Sequence, residues 1–221
     1  MSVKESFIED TQVVTMTVSD YELIVVPSAG GNVLSYRNNR LDLDILNPAP
    51  NIDTLKKRPM LFGIPPLMPP GRIEDGIYHF EGKQYTGPIN DAKNNCWIHG
   101  LVTRKSWELE QAVEEDEKAV VTVSYTHNES REEYSYYPFS FQMETQYELS
   151  QEGLVYTTTI TNLGTTNMPV ALGYHTSFAI PIGKQGKLED LSLQVGLKDR
   201  WDMKSNGIPS EQVVELSRDE V

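Results

Sequence analysis

Cysteine occurs once, at Cys96, so no intrachain disulfide can staple this chain. Stability must come from a packed core, and 221 residues are enough to build one. Long apolar runs are missing as well: no stretch approaches the ~20 residues that span a bilayer. Met1 to Asp10 carries acids and no apolar segment of signal-peptide length. Membrane is therefore not an expected partner, and the expected location is cytoplasmic. The sequon Asn128-Glu129-Ser130 has meaning only in a secreted protein. Basic residues are scarce, 19 against 32 acidic ones, which gives a net charge of −13. Such a surface repels phosphate backbones and anionic lipid, so nucleic acid is excluded as a natural partner. It also weighs against a phosphorylated substrate unless one Arg is well placed to meet it. Cys96 alone provides no zinc spacing, and neither a Gly-rich phosphate loop nor a G-x-S-x-G elbow is present. No metal and no cofactor are expected. Two facing carboxylates, as a glycosidase needs, are not singled out among acids such as Asp75, Glu81 and Asp91.

Helical periodicity is absent too; what is present is alternation with a period of two. Val14 to Val18, Tyr21 to Val26, Asn32 to Arg37, Trp107 to Val113, Ala119 to Thr126, Phe139 to Leu149 and Leu154 to Thr161 are rich in Val, Thr, Ile and Tyr. These runs read as strands. Ser150-Gln151-Glu152-Gly153 reads as a hairpin turn, and Asn162-Leu163-Gly164 as the turn into a next strand pair. Glu114 to Lys118 is a charge run that suits a solvated hairpin tip. Val213 to Leu216 reads as one more strand, after which Ser217 to Val221 stops without a capping element. Many short strands between turns imply a sandwich or barrel, with no boundary that divides it.

The segment Phe62 to Arg72 breaks the pattern. Its four prolines remove ladder donors, so it is not a central strand, and its low charge does not suit an exposed linker. A Pro-stiffened apolar wall that ends by placing Arg72 is the expectation. Of the four histidines, His99 and His175 end apolar stretches near Gly100 and Gly173, where backbone can approach a ligand. His79 reads as a hairpin strand residue and His127 as part of a polar loop, both structural.

Taken in order, Gly71-Arg72-Ile73-Glu74-Asp75-Gly76, Phe80-Glu81-Gly82-Lys83-Gln84-Tyr85, Asn90, Ile98-His99-Gly100 and Trp107 resemble the N-terminal half of an aldose 1-epimerase. Pro138 before a strand, and His175 followed by Phe178, extend the resemblance over roughly residues 10 to 215. Two positions depart from the common pattern: Gly71 and Tyr174 stand where Asn is frequent. The resemblance implies an all-β, galactose-mutarotase-type β-supersandwich, present as its N-terminal portion, in one domain over 1–221. It implies interconversion of α and β anomers of a free hexose by acid and base, without metal or organic cofactor. By residue-level carry-over His175 is the acid at the ring oxygen, and His99 is a second imidazole bonded to the sugar. Arg72 binds sugar hydroxyls, and Phe178 stands beside the substrate as a stacking wall, as Trp97 also could. The family's sugar-binding Asp and Glu base belong to sequence expected after Val221. Glu189, Asp190 and Asp199 read as ordinary loop and strand-edge carboxylates. The expected outcome is an impaired mutarotase. The rival readings are a non-catalytic carbohydrate-binding β-sandwich and a hexose-6-phosphate mutarotase.

Overall fold

A computed structural model describes residues 1–181, 186–192, 194 and 197–216. The expectation for Ser217 to Val221 lies outside them. The chain begins with β1 (Ser2–Ile8), β2 (Thr11–Val18), β3 (Tyr21–Val26), β4 (Asn32–Asn38) and β5 (Leu43–Asp44), an antiparallel sheet in that order. A short helix, α1 (Ile52–Lys57), follows and is the only α-helix among the described residues. Small pieces come next: β6 (Pro66–Leu67), β7 (Arg72–Glu74), β8 (Ile77–Phe80), β9 (Lys83–Thr86) and β10 (Cys96–Ile98). The second large sheet is β11 (Glu108–Glu115), β12 (Lys118–His127), β13 (Phe141–Ser150) and β14 (Gly153–Asn162), again in sequence order. The two-residue β15 (Gly173–Tyr174) and the hairpin of β16 (Asp199–Met203) with β17 (Pro209–Glu215) complete the described chain.

Alternation in the sequence becomes sidedness in the sheets. Val14, Met16 and Val18 of β2 share one buried face and pack with Val121, Val123 and Tyr125 of β12 and Phe141, Met143 and Tyr147 of β13. This is the sandwich interior. Burial of each such side chain contributes roughly 1.5–3 kcal/mol. Tyr147 is fully buried, and its hydroxyl donates to the Gly31 carbonyl across the layer. Val13 points to the other face of the first sheet, where Ile52 and Leu55 of α1 cover it together with Val26 and Leu34. Asn51 caps that helix by accepting from Thr54 N at 2.8 Å.

Several boundaries shift for physical reasons. Phe139 is not yet strand: its N–H closes a turn onto the Tyr137 carbonyl at 2.9 Å, and pairing starts at Phe141. Trp107 stands before β11 because its backbone N–H donates to Pro27 O. Asn162 does turn the chain, accepting from Gly164 N at 2.9 Å, but no strand pair follows directly. His127 is not in a polar loop. It ends β12 fully buried, lies against Phe141 with ring centroids 5.0 Å apart, and bonds the Tyr137 carbonyl through Nε2 at 2.9 Å. The hairpin tips at 116–117 and 151–152 form as the charge run and the Gly predict.

The Pro-rich segment is the part that matters most for position. It is buried from Pro65 to Met68 and forms only the two-residue β6, paired with β15. A fully buried side chain, Asn32, pins its start. Asn32 Nδ2 donates to Phe62 O at 3.1 Å, while Oδ1 accepts from Val33 N and Ile64 N, both at 2.8 Å. The loop's carbonyls then hold the later segment: Gly63 O takes Ser177 N at 3.0 Å, and Pro65 O takes His175 N at 3.2 Å. Asn32→Leu is expected to strand these groups and cost about 2–3 kcal/mol. Urea unfolding should show a lower midpoint with an unchanged slope.

Candidate functional site

Register explains how Arg72 and His99 meet. β7 and β10 are antiparallel, with Cys96 opposite Glu74, Trp97 opposite Ile73 and Ile98 opposite Arg72. The next residue, His99, therefore leaves the ribbon beside Arg72. Asn90 fixes this end by clasping Ile98, donating to its carbonyl and accepting from its N–H, each at 2.8 Å. His99 itself has φ +54, a left-handed conformation uncommon outside glycine. Strain of this kind is often kept where it aims a side chain.

These residues wall a cavity of about 390 Å³ with Met60, Asp91 and Arg104. Arg72 Nε donates to Asp91 Oδ2 at 2.7 Å, and Asn94 Nδ2 donates to the same oxygen at 2.8 Å. Those two bonds, the one from Arg72 foremost, hold the Asp91 carboxyl below the ordinary carboxylate range. From the β16–β17 turn, Gly207 lies so near Arg72 that a Cβ there would stand 2.5 Å from Nη1.

His99 is half-buried, and its Nδ1 is enclosed with no hydrogen-bond partner among the described residues. Burial pushes its pKa down; the Pro69 carbonyl opposes this, and the charges of His175, Arg72 and Arg104 add to it. The imidazole is therefore held toward its neutral form, able to accept or donate. His175 is exposed and close enough to His99 for the two to repel when charged. Its backbone is fixed by the bond to Pro65 O, and Ser177 Oγ donates to Met60 O at 3.1 Å. Phe178 bridges Leu46 through its backbone and leaves its ring exposed, outside the cavity wall. Trp97 is core: it is buried and meets Tyr136 edge to face at 5.4 Å. It also faces a separate, apolar cavity of about 230 Å³ with Tyr78, Tyr137 and Leu101. The polar cavity is the better candidate, because Arg72, Asp91, Arg104 and the His99 imidazole share its wall.

Of the expected site residues, Arg72 and His99 line this cavity and His175 does not; the wall adds Arg104 and Asp91, which the sequence did not single out. Arg104 lies five residues after His99, beside Lys105, and nothing in its local pattern marks it. Asp91 was visible only as one acid among many.

Two imidazoles, His127 buried and His99 half-buried, give the fold a pH dependence. Burial lowers the pKa of both His99 and His127 from 6.5. Below that value the unfolded chain binds protons that the fold resists, so stability is lost as pH falls. The thermal midpoint should drop between about pH 7.5 and 5.5. His127→Phe, which cannot take up that proton, should flatten the slope of midpoint against pH.

Comparison with known proteins agrees with this architecture. The profile of the aldose 1-epimerase family matches residues 12–221. A galactose mutarotase-like protein from Clostridium acetobutylicum superposes with a TM-score of 0.93 at 30% identity, over 99% of this chain and 66% of that one. Galactose 1-epimerase from Lactobacillus acidophilus shares the fold, with a TM-score of 0.76 at 18% identity over 98% of this chain and 64% of its own. The uncharacterized protein YihR of Escherichia coli is 29% identical over 109 residues, 48% of this chain and 32% of YihR. The chain thus spans about two thirds of the two solved structures and about a third of YihR. With a profile match over nearly its whole length and the sheets arranged as in those structures, the chain belongs to the aldose 1-epimerase family, as a galactose-mutarotase-type β-sandwich.

Proposed function

We infer that the cavity bounded by Arg72 and His99, with His175 at its edge, binds an aldose and promotes exchange of its anomers. What supports this is that Arg72 and His99 line one polar cavity, with His175 near enough for its charge to act on His99. Anomer exchange requires a proton to leave the anomeric hydroxyl and another to reach the ring oxygen. The ring opens, rotates about the bond to the anomeric carbon, and closes on either face. His175 delivers the proton to the ring oxygen, since its exposed imidazole is open to solvent and to a bound sugar. His99, held toward its neutral form, bonds a sugar hydroxyl and adds no competing charge. Arg72, fixed by Asp91, donates to sugar hydroxyls from its remaining N–H groups.

The base is a different matter. Asp91 is the carboxylate on this cavity wall among the described residues, and Arg72 and Asn94 hold it in its ionised form. A carboxylate so stabilised is a weak base. That observation also favours a second reading, a sugar-binding module with slow turnover. Polarimetry on a freshly dissolved α-aldose, with the chain and with His175→Ala, separates the two. Equal decay with and without either protein would leave only the binding reading.

A further inference from the structure

Arg104 is the charge on the cavity wall that the mechanism leaves unused. The charged groups on the cavity wall are Arg72, Arg104 and Asp91. Arg72 and Asp91 pair at 2.7 Å and offset each other. Arg104 has neither hydrogen bond nor ion pair among the described residues. Two other acids lie on or beside β7, but neither lines the cavity. Glu74 stands 3.9 Å from Lys204 Nζ, and Asp75 accepts from Asn95 Nδ2. A cavity with one uncompensated cation is thus set into a chain of net charge −13.

The support beneath Arg104 is rigid. Its neighbours Val102 and Thr103 are buried, Thr103 Oγ1 donates to Pro66 O at 2.7 Å, and Gly30 N donates to Lys105 O at 2.8 Å. The turn is held on both sides while the Arg104 side chain itself is exposed. A guanidinium offers a planar fork that matches the two oxygens of a carboxylate or phosphate.

We propose that Arg104 is a specificity-determining residue, and that the cavity takes an aldose bearing an anionic group in preference to a neutral one. This rests on the reading of the cavity as a sugar site. The scarcity of basic residues in the chain argues against anions over the surface as a whole, but binding is decided by the local field. An anion here meets Arg104 without first having to displace a protein carboxylate.

Calorimetric titration of the folded chain with glucose, glucuronate, glucose 6-phosphate and inorganic phosphate tests this. The charged sugars should bind roughly ten- to hundredfold more tightly than glucose, as hydrogen bonds to charged groups do. The ratio should fall to about one in Arg104→Gln, survive in part in Arg104→Lys, and shrink as salt is raised. A gain for both charged sugars means that charge is read; a gain for glucose 6-phosphate alone means that phosphate is. Either supports the proposal. A ratio of one in the unaltered chain overturns it, as does a ratio that persists in Arg104→Gln, or inorganic phosphate binding as tightly as glucose 6-phosphate. No binding of any sugar overturns both the proposal and the sugar site. An Arg104-dependent ratio without acceleration of anomer exchange would sink the mutarotase reading and leave the anion preference standing.

Discussion

On the proposed role of His175, His175→Ala should remove nearly all acceleration of anomer exchange, a loss on the order of 10²-fold, with sugar binding changed far less. The split follows from placement. His175 is exposed, near enough for its charge to act on His99, and does not form the cavity wall, whereas Arg72 and His99 do. Loss of a group that acts on the ring oxygen lowers the rate, while loss of a wall residue weakens binding. Arg72→Met should therefore act mainly on binding. It also leaves Asp91 without its first partner, so the Asp91 carboxyl should titrate closer to its ordinary range. Added acetate offers a probe of the base. If Asp91 is as weak a base as its bonds imply, a small carboxylate in the cavity should raise the rate of the unaltered chain and leave His175→Ala near the buffer rate. A His175→Ala protein that matches the unaltered chain would remove His175 from the mechanism.

The large sheets were legible because alternation leaves its trace in every strand that has one wet face. β13 shows this best: Phe141, Met143, Thr145, Tyr147 and Leu149 are buried, and the residues between them are only half so. The short pieces that build the site carry no such trace. β6, β7 and β10 are two or three residues long, and their pairing is set by Asn32, Asn90 and the prolines rather than by periodicity. Arg72 and His99 stand out in the sequence because they adjoin a Pro-rich run and a Gly and fit the family resemblance. Arg104 has no such neighbour, and its place depends on two residues far away, Gly30 and Pro66. His127 was misjudged for a related reason. Polar residues follow it directly, and only the pairing of His127 with Phe141 shows that the strand has not yet ended. Nothing in one sequence reports which side of a strand end is covered by another layer.

Gly30→Ala should be the most damaging small substitution in the first sheet's connections. Gly30 has φ +76, where a side chain is strained, and a Cβ there would lie 2.0 Å from Thr103 O and 2.7 Å from Thr103 C. Both contacts are backbone, so no rotamer can relieve them. Either Gly30 moves away, breaking its bond to Lys105 O, or the 101–105 turn moves and takes Thr103 off Pro66. The left-handed conformation alone costs roughly 1 kcal/mol, and the clash should bring the total to about 3–5 kcal/mol, in the range of the most disruptive single changes. Gly71→Ala provides the contrast, since a Cβ there meets nothing within 4 Å. It should change stability by less than about 0.5 kcal/mol although it adjoins Arg72. Urea unfolding of the two variants decides the point, and equal stability would mean that the Gly30 turn yields more easily than its contacts indicate. Where Gly30→Ala still folds, the displaced turn should also reduce the discrimination carried by Arg104, because the guanidinium keeps its charge but loses its fixed approach to the cavity.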